Sequence, residues 1–234
     1  MTGVVAALRI EALTLGLPVD HHGSGRWIAR RRVAVSGIGC AAAEAAARSL
    51  IGSGATALLS WGLAGAIDPA LRAGTVCIPE RVISRGGASR RTDPTWRARL
   101  GAALVARCTI VNGNLLTVDA VIADTVSKAA LFRETGAVAV DMESLAVAEV
   151  AAAAAVPFMA VRVIVDTAND RLPDSMVKAA GPRGIRLLPL LIEILRAPGD
   201  LAPLLRIARH YRLARRSFVV VANCAALDDA WMTA

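Results

Sequence analysis

Aromatic side chains are scarce in this chain, at 3% of its 234 residues, with one tyrosine and three phenylalanines. A protein that stacks successive bases needs more such platforms, and no nucleic-acid motif is present, so nucleic acid is not an expected partner. Cysteine is sparse and unpaired: Cys40, Cys77, Cys108 and Cys224 are scattered, no CxxC occurs, and His21, His22 and His210 add no zinc spacing. The expectation is reduced thiols in a cytoplasmic protein that needs no metal or organic cofactor. A secretory signal is not expected either, since the first apolar stretch has no basic run before it and is interrupted by Arg9 and Glu11. Long apolar runs are also absent. The nearest to a membrane span, residues 144–161, is interrupted by Glu149 and Pro157 and is short for a bilayer, so a buried helix followed by a buried strand fits better.

Alanine and arginine are what the chain has in quantity. Apolar residues make up 55%, enough for one domain with a substantial core. Lys and Arg outnumber Asp and Glu by 27 to 19, a net charge of +8 carried almost entirely by arginine. Such a balance suits an acidic ligand or an anionic surface, and a codon bias toward arginine accounts for it equally well.

Apolar runs at residues 4–8, 32–36, 57–60, 75–78, 82–84, 109–111, 115–118, 138–140 and 158–165 read as strands. Residues 10–17, 41–51, 96–106, 126–135, 143–155, 183–195 and 201–216 read as helices, with loops at 20–25 and 86–93. Strands alternating with helices predict an α/β protein, a three-layer αβα sandwich around a mixed, partly closed sheet. Residues 1–196 form the expected catalytic domain and residues 197–234 a helical extension.

Gly37-Ile38-Gly39, between a strand and a helix, has the form of a dinucleotide cradle. That use requires an acid about twenty residues on. The chain has Ala57-Leu58-Leu59-Ser60-Trp61 there, which argues against a Rossmann dehydrogenase. Ser60-Trp61-Gly62-Leu63-Ala64-Gly65-Ala66 places glycines where a strand is expected to break into a loop that a ligand approaches closely.

The strongest signal is Asp141-Met142-Glu143-Ser144, followed by an alanine-rich helix and a strand ending at Asp166. A helix–strand unit of this length folds back on itself, so Glu143 and Asp166, just over twenty residues apart, are expected at one crevice. A carboxylate accepts hydrogen bonds from two vicinal hydroxyls, which suits Glu143 to a ribose, with Met142 packed on the sugar. An aspartate in a partly apolar pocket can hold a proton for a leaving purine, which suits Asp166, with Asp170 as its local competitor. Each residue also has a plainer reading, Glu143 as an acidic helix start and Asp166 as a turn cap.

These motifs closely resemble the nucleoside phosphorylase / methylthioadenosine–S-adenosylhomocysteine nucleosidase superfamily, over roughly residues 4–195. The resemblance implies N-glycosidic cleavage of an adenine nucleoside, with Asp166 as the acid and Glu143 and Met142 on the ribose. It places Gly62, Leu63 and Ala64 against the ribose, and the backbone around Val121 and Ile122 against adenine. Glu11 stands where nucleosidases of this superfamily carry the carboxylate that activates water. The Gly-Asp-Pro-x-Arg loop of phosphorolytic members is absent, which leans toward water while leaving phosphate open as co-substrate. Val121 replaces an aromatic residue and Leu63 a small polar one, so the pocket is more aliphatic than in those nucleosidases. Thr135-Gly136-Ala137 before the Asp141 motif and the arginine-rich tail are similar to the hopanoid-associated nucleoside phosphorylases, which implies adenosylhopane, a lipid-linked nucleoside, as substrate. A homodimer is implied as well. The segment 204–216 sets Leu204, Ile207, Ala208, Tyr211 and Ala214 near one helical face and Arg206, Arg209, Arg212, Arg215 and Arg216 largely off it. Such a helix either rests on an anionic membrane, on the inner face of the cell, or docks on its own domain.

Overall fold

The structure is a computed structural model that describes residues 1–16, 31–173, 175, 180–181, 184–185, 199, 201–224 and 227. Three partners, two parallel and one antiparallel, flank one long strand, β3 (Ala57–Ala66). Its N-terminal half pairs in parallel with β1 (Thr2–Ala6), which in turn pairs with β2 (Arg31–Val35). On its other edge runs β10 (Phe158–Asp166), parallel to it over nearly its whole length. Beyond β10 come β4 (Val76–Cys77) and β7 (Ile110–Val111). At its C-terminal end β3 takes a new neighbour, β9 (Ala139–Asp141), in antiparallel pairing. From β9 the sheet continues through β8 (Asn114–Thr117) and β5 (Arg81–Ile83) to β6 (Ser89–Arg91). The mixed α/β sheet is therefore as expected, but it is open rather than partly closed: β6 and β7 end its path.

Alternation along the central strands builds the layers. Leu59, Met159, Val161 and Val163 face one core and Leu58, Phe158, Ala160 and Ile164 the other, as the period-two geometry of a strand requires. On the second face lie α2 (Cys40–Gly52) and α5 (Ser144–Ala153), whose buried residues Ala43, Ala47, Val147, Ala148 and Ala151 let the two helices pack closely. On the first face lie α1 (Arg9–Ala12) with the 3-10 turn Leu13–Leu15, α3 (Pro94–Leu104) and the long α6 (Leu201–Ala222). α4 (Thr125–Thr135) starts at Asp124, whose side chain caps Ser127 N–H at 2.8 Å, and ends at Gly136 in the left-handed region. The Ser144–Val161 stretch is split between α5 and β10, and among the described residues no helix is long and apolar enough to cross a membrane.

Several expectations need correction. The glycines after Ser60 do not end the strand; β3 runs through them to Ala66. The charged loop expected at 86–93 contains β6, a polar edge strand paired antiparallel with β5, which apolar-run criteria pass over. Residues 184–185, expected in a helix, form β12 (Gly184–Ile185), paired with β11 (Ala180–Gly181), and the rest of that expected helix lies outside the described residues. The expected loop at 20–25 also lies outside them. All four cysteines are free thiols.

The last helix is longer than its sequence pattern suggests and is docked on the domain. Ile207, Ala214, Phe218 and Val221 are buried along one side, with Tyr211 partly so, whereas Ala208 is exposed. Phe218 meets the buried Trp61 at 4.9 Å between ring centroids, tilted by 42°. Emptying this contact leaves a cavity that a sheet-backed site cannot collapse to fill. Phe218→Ala should therefore lose about 3 kcal/mol in urea unfolding, whereas Arg212→Ala, on the exposed side, should stay within about 0.5 kcal/mol of the parent.

Candidate active site

The change of neighbours along β3 opens the cleft. β1 pairs with β3 as far as Trp61, and β9 begins at Gly65, so between them the β3 edge has no strand beside it. A buried backbone N–H left there must find another acceptor. Glu11, on the short helix after β1, supplies it: its Oε1 accepts from Leu63 N at 2.8 Å and its Oε2 from Leu8 N at 2.8 Å. Glu11 is 4% exposed. Burial pushes its carboxyl above the usual range, opposed by the Leu63 N–H, the charge of Arg162 and the Leu8 N–H.

Glu143 enters from the opposite side, immediately before α5. Gly39 N donates to its Oε1 at 2.8 Å and Met142 N to its Oε2 at 3.2 Å. The glycine is needed here, since Gly39 has φ of 101° where it precedes α2. The Gly-x-Gly that fails as a dinucleotide cradle thus holds a carboxylate. Burial and then the charge of Asp141 push the Glu143 carboxyl up to about 7, against the pull of Arg162 and the Gly39 N–H.

Asp166 is aimed by a bulge. The β3–β10 register shifts after Ile164, so Asp166 rather than Val165 lies opposite Gly65. A methyl group on Gly65 would stand 3.0 Å from both Asp166 carboxylate oxygens, and one on Gly62 would stand 2.9 Å from Glu11 Oε1 and 3.0 Å from Arg162 Nη1. Glycine occurs in the middle of a buried strand because side chains from other elements fill the space a Cβ would take. Burial raises the Asp166 carboxyl, and the charge and hydrogen bond of Lys128 oppose it.

One cleft of about 180 Å³ is lined by Glu11, Leu63, Ala64, Gly65, Val121, Ile122, Asp141, Met142, Glu143 and Asp166, with Leu8, Ile38, Val118 and Leu172 among its apolar walls. Of the residues that the resemblance assigns to the substrate or to catalysis, Gly62 does not line it; Gly62 lies behind, between Glu11 and Arg162. Asp170, the competitor of Asp166, is not in the lining. Its carboxylate accepts from Thr167 N at 2.9 Å and Thr167 Oγ1 at 2.8 Å, and lies 3.1 Å from Arg206 Nε and 3.4 Å from His210 Nδ1. Burial alone would raise the Asp170 carboxyl, but the Thr167 hydrogen bonds and the neighbouring His210 and Arg206 hold it below the usual range.

Two cations behind the cleft escaped the sequence reading. Arg162 is 2% exposed and pairs with Asp141, Nη2 to Oδ2 at 2.7 Å, while donating to Ser60 Oγ and Ser144 Oγ at 2.7 and 2.9 Å. Lys128 is fully buried, with Nζ 2.6 Å from Asp166 Oδ2. Neither lines the cleft, so among the described residues its charged lining is entirely acidic.

Open sheet, flanking helices and a carboxylate-lined cleft at the strand ends define a nucleoside phosphorylase-type α/β fold. The chain belongs to the Phosphorylase superfamily, whose pattern matches residues 25–193. No match was found among curated proteins. Among solved structures, the fold is similar to the Helicobacter pylori 5′-methylthioadenosine/S-adenosylhomocysteine nucleosidase with butyl-thio-DADMe-Immucillin-A, at TM-score 0.66 and 17% identity, covering 98% of this chain and 96% of that one. The Neisseria meningitidis 5′-methylthioadenosine/S-adenosylhomocysteine nucleosidase in complex with methylthio-immucillin-A aligns at TM-score 0.66 and 18% identity, covering 94% and 97%. A Helicobacter pylori futalosine hydrolase mutant aligns at TM-score 0.63 and 18% identity, covering 71% and 86%.

Two tests follow from this geometry. The Glu143 carboxyl is near 7 in the folded protein and 4.5 in its ordinary state, so folding takes up a proton between those values. The stability this lends is present at low pH and is lost as pH rises through about 7. Glu143→Gln cannot titrate, so its stability relative to the parent should improve by on the order of 2 kcal/mol between pH 5 and pH 8, read by thermal unfolding at the two pH values. Gly65→Ala should push the Asp166 carboxylate aside and lower turnover about 100-fold, with nucleoside affinity, read by calorimetry, little changed.

Proposed function

We propose that the protein releases adenine from a ribonucleoside with an apolar 5′ substituent, with water as acceptor. The observation that carries this reading is the convergence of Glu11, Glu143 and Asp166, from three separate segments, on one aliphatic-walled cleft. Asp166, whose carboxyl is raised by burial and so holds a proton more readily than an exposed aspartate, donates that proton to purine N7 as the C1′–N9 bond breaks and its electron pair passes to the base. Glu143 in its carboxylate form accepts hydrogen bonds from the ribose 2′- and 3′-hydroxyls, and Met142 packs against the sugar. Glu11, whose raised carboxyl makes it a better base than an exposed glutamate, takes a proton from the water that bonds to C1′.

The cleft lining holds no cation among the described residues, which favours neutral water over a phosphate dianion. Val121, which is 46% exposed, together with Ile122, Val118 and Leu172, offers an aliphatic wall in place of an aromatic stacking surface. That wall and the sequence resemblance support adenosylhopane as the first substrate to test. Arg209, Arg212, Arg215 and Arg216 are exposed on α6 and support a contact with an anionic membrane surface, where a lipid-linked nucleoside resides. A second reading, turnover of methylthioadenosine or S-adenosylhomocysteine, is favoured by the nucleosidases that share the fold.

Adenine release from adenosylhopane in detergent, measured with and without phosphate, tests the reading. Equal release in both conditions is the expected result. Release that requires phosphate and yields a sugar 1-phosphate would overturn the role of water, and preferential turnover of methylthioadenosine would favour the second reading. Asp166→Asn should lower release about 1,000-fold and still bind nucleoside; full turnover in that variant would remove Asp166 from the mechanism.

A further inference from the structure

Lysine is rare in this arginine-rich chain, occurring only at positions 128 and 178. Lys128 lies in the first turns of α4, where it and Leu131 are the helix's buried residues. Its side chain has no exposure at all. Nζ donates to Asp166 Oδ2 at 2.6 Å, to Thr167 O at 2.9 Å and to Asp170 O at 2.9 Å, which uses all three ammonium hydrogens. Removing a cation from water costs several kcal/mol even when it is paired. Here the ammonium lies against the one cleft carboxylate to which a proton-donating role is assigned, and it bonds the loop that follows.

We propose that Lys128 is the positioning residue of Asp166: it clamps Oδ2 and the 167–170 loop, so that Oδ1 is the oxygen presented to the leaving purine. The inference rests on the reading of Asp166 as the acid. Two further contacts tie the same segment down: Leu172 N donates to Ala123 O at 2.9 Å beside α4, and Asp170 is held by Arg206 and His210 of α6. Arginine would not serve in this slot, because its planar fork cannot direct three donors to a carboxylate and two carbonyls from one point.

The clamp also bears on when Asp166 is protonated. Burial raises that carboxyl and Lys128 opposes the rise. Without Lys128 the acid holds its proton more tightly, and the alkaline limb of turnover moves to higher pH. The other charged or titratable groups around it are Asp170 on the loop and, behind Asp170, Arg206 and His210 from α6. His210→Gln therefore serves as the control for titration on that side.

The test compares Lys128→Met with the parent on adenine release. The expected result is a fall in kcat of about 100-fold with KM nearly unchanged, and an alkaline limb displaced upward by about one pH unit or more. Added to Asp166→Asn, Lys128→Met should cause no further loss, because the lysine acts through that carboxylate. An unaltered pH profile, or a full additional loss in the double variant, would overturn the proposal. Asp166→Asn with normal turnover would instead sink the functional reading beneath it. For a variant that does not fold, lysine 15Nζ labelling of the otherwise unaltered protein gives two signals, assigned with Lys178→Arg. The Lys128 signal should move on Asp166→Asn and on binding of an adenine nucleoside analogue; a signal indifferent to both would overturn the clamp.

Discussion

A single buried guanidinium ties the site to the fold. Arg162 projects from β10 and reaches Asp141 at the end of β9, Ser60 in β3 and Ser144 at the start of α5. It also lies close enough to Glu11 and Glu143 to lower both carboxyls against the effect of burial. Removing one partner from such a pair leaves an uncompensated buried charge, typically at a cost of about 3–5 kcal/mol. The strands that carry the functional carboxylates are thus cross-linked by the same charge that tunes them. Asp141, next to the residues assigned to the sugar, is committed to Arg162 and to the Thr117 hydroxyl at 2.7 Å rather than left for a ligand.

The cleft follows from a shortage of strand. Where β1 has ended and β9 has not begun, β3 has an unpaired edge, and the side chain of Glu11 takes the place of a neighbouring backbone. The opposite edge of β3 is paired from Leu58 to Gly65, but the bulge in β10 turns Asp166 toward the same place. An interrupted ladder and a bulge, each costly in an ordinary sheet, here create room for a ligand and deliver two carboxylates to it. Their desolvation is what raises them toward the pH range in which proton transfer is useful.

The C-terminal helix belongs to this arrangement more closely than its arginines suggest. Phe218 anchors it on Trp61, and the Trp61 Nε1 donates to Glu11 O at 3.2 Å, so the helix backs the segment that carries Glu11. Farther along, Arg206 and His210 hold Asp170, which ties the loop after Asp166. A basic amphipathic pattern is compatible with a membrane surface, but on this helix the apolar side is occupied by the domain itself. Exposed on the helix are the outward arginines together with Leu201, Leu205, Leu213 and Val219.

Local sequence determined the elements and the carboxylates. Alternating apolar runs and alanine-rich helices report burial by neighbours in the chain, so the α/β order, the strand at Phe158–Asp166 and the helix after Glu143 were legible, and Asp141-Met142-Glu143 with Asp166 marked the cleft. What the tertiary structure decided lies in pairings across the sheet. A run of Ser-Trp-Gly-Leu-Ala-Gly reads as a strand breaking up, because glycine is usually found where the chain turns; here the strand continues, and its glycines make way for Glu11, Arg162 and Asp166. Lys128, fourth in a helix of weak amphipathic pattern, has the sequence signature of a surface residue. Only the folded chain brings it to Asp166, because the partner of a buried charge is set by which elements pack together, a relation that no local periodicity encodes.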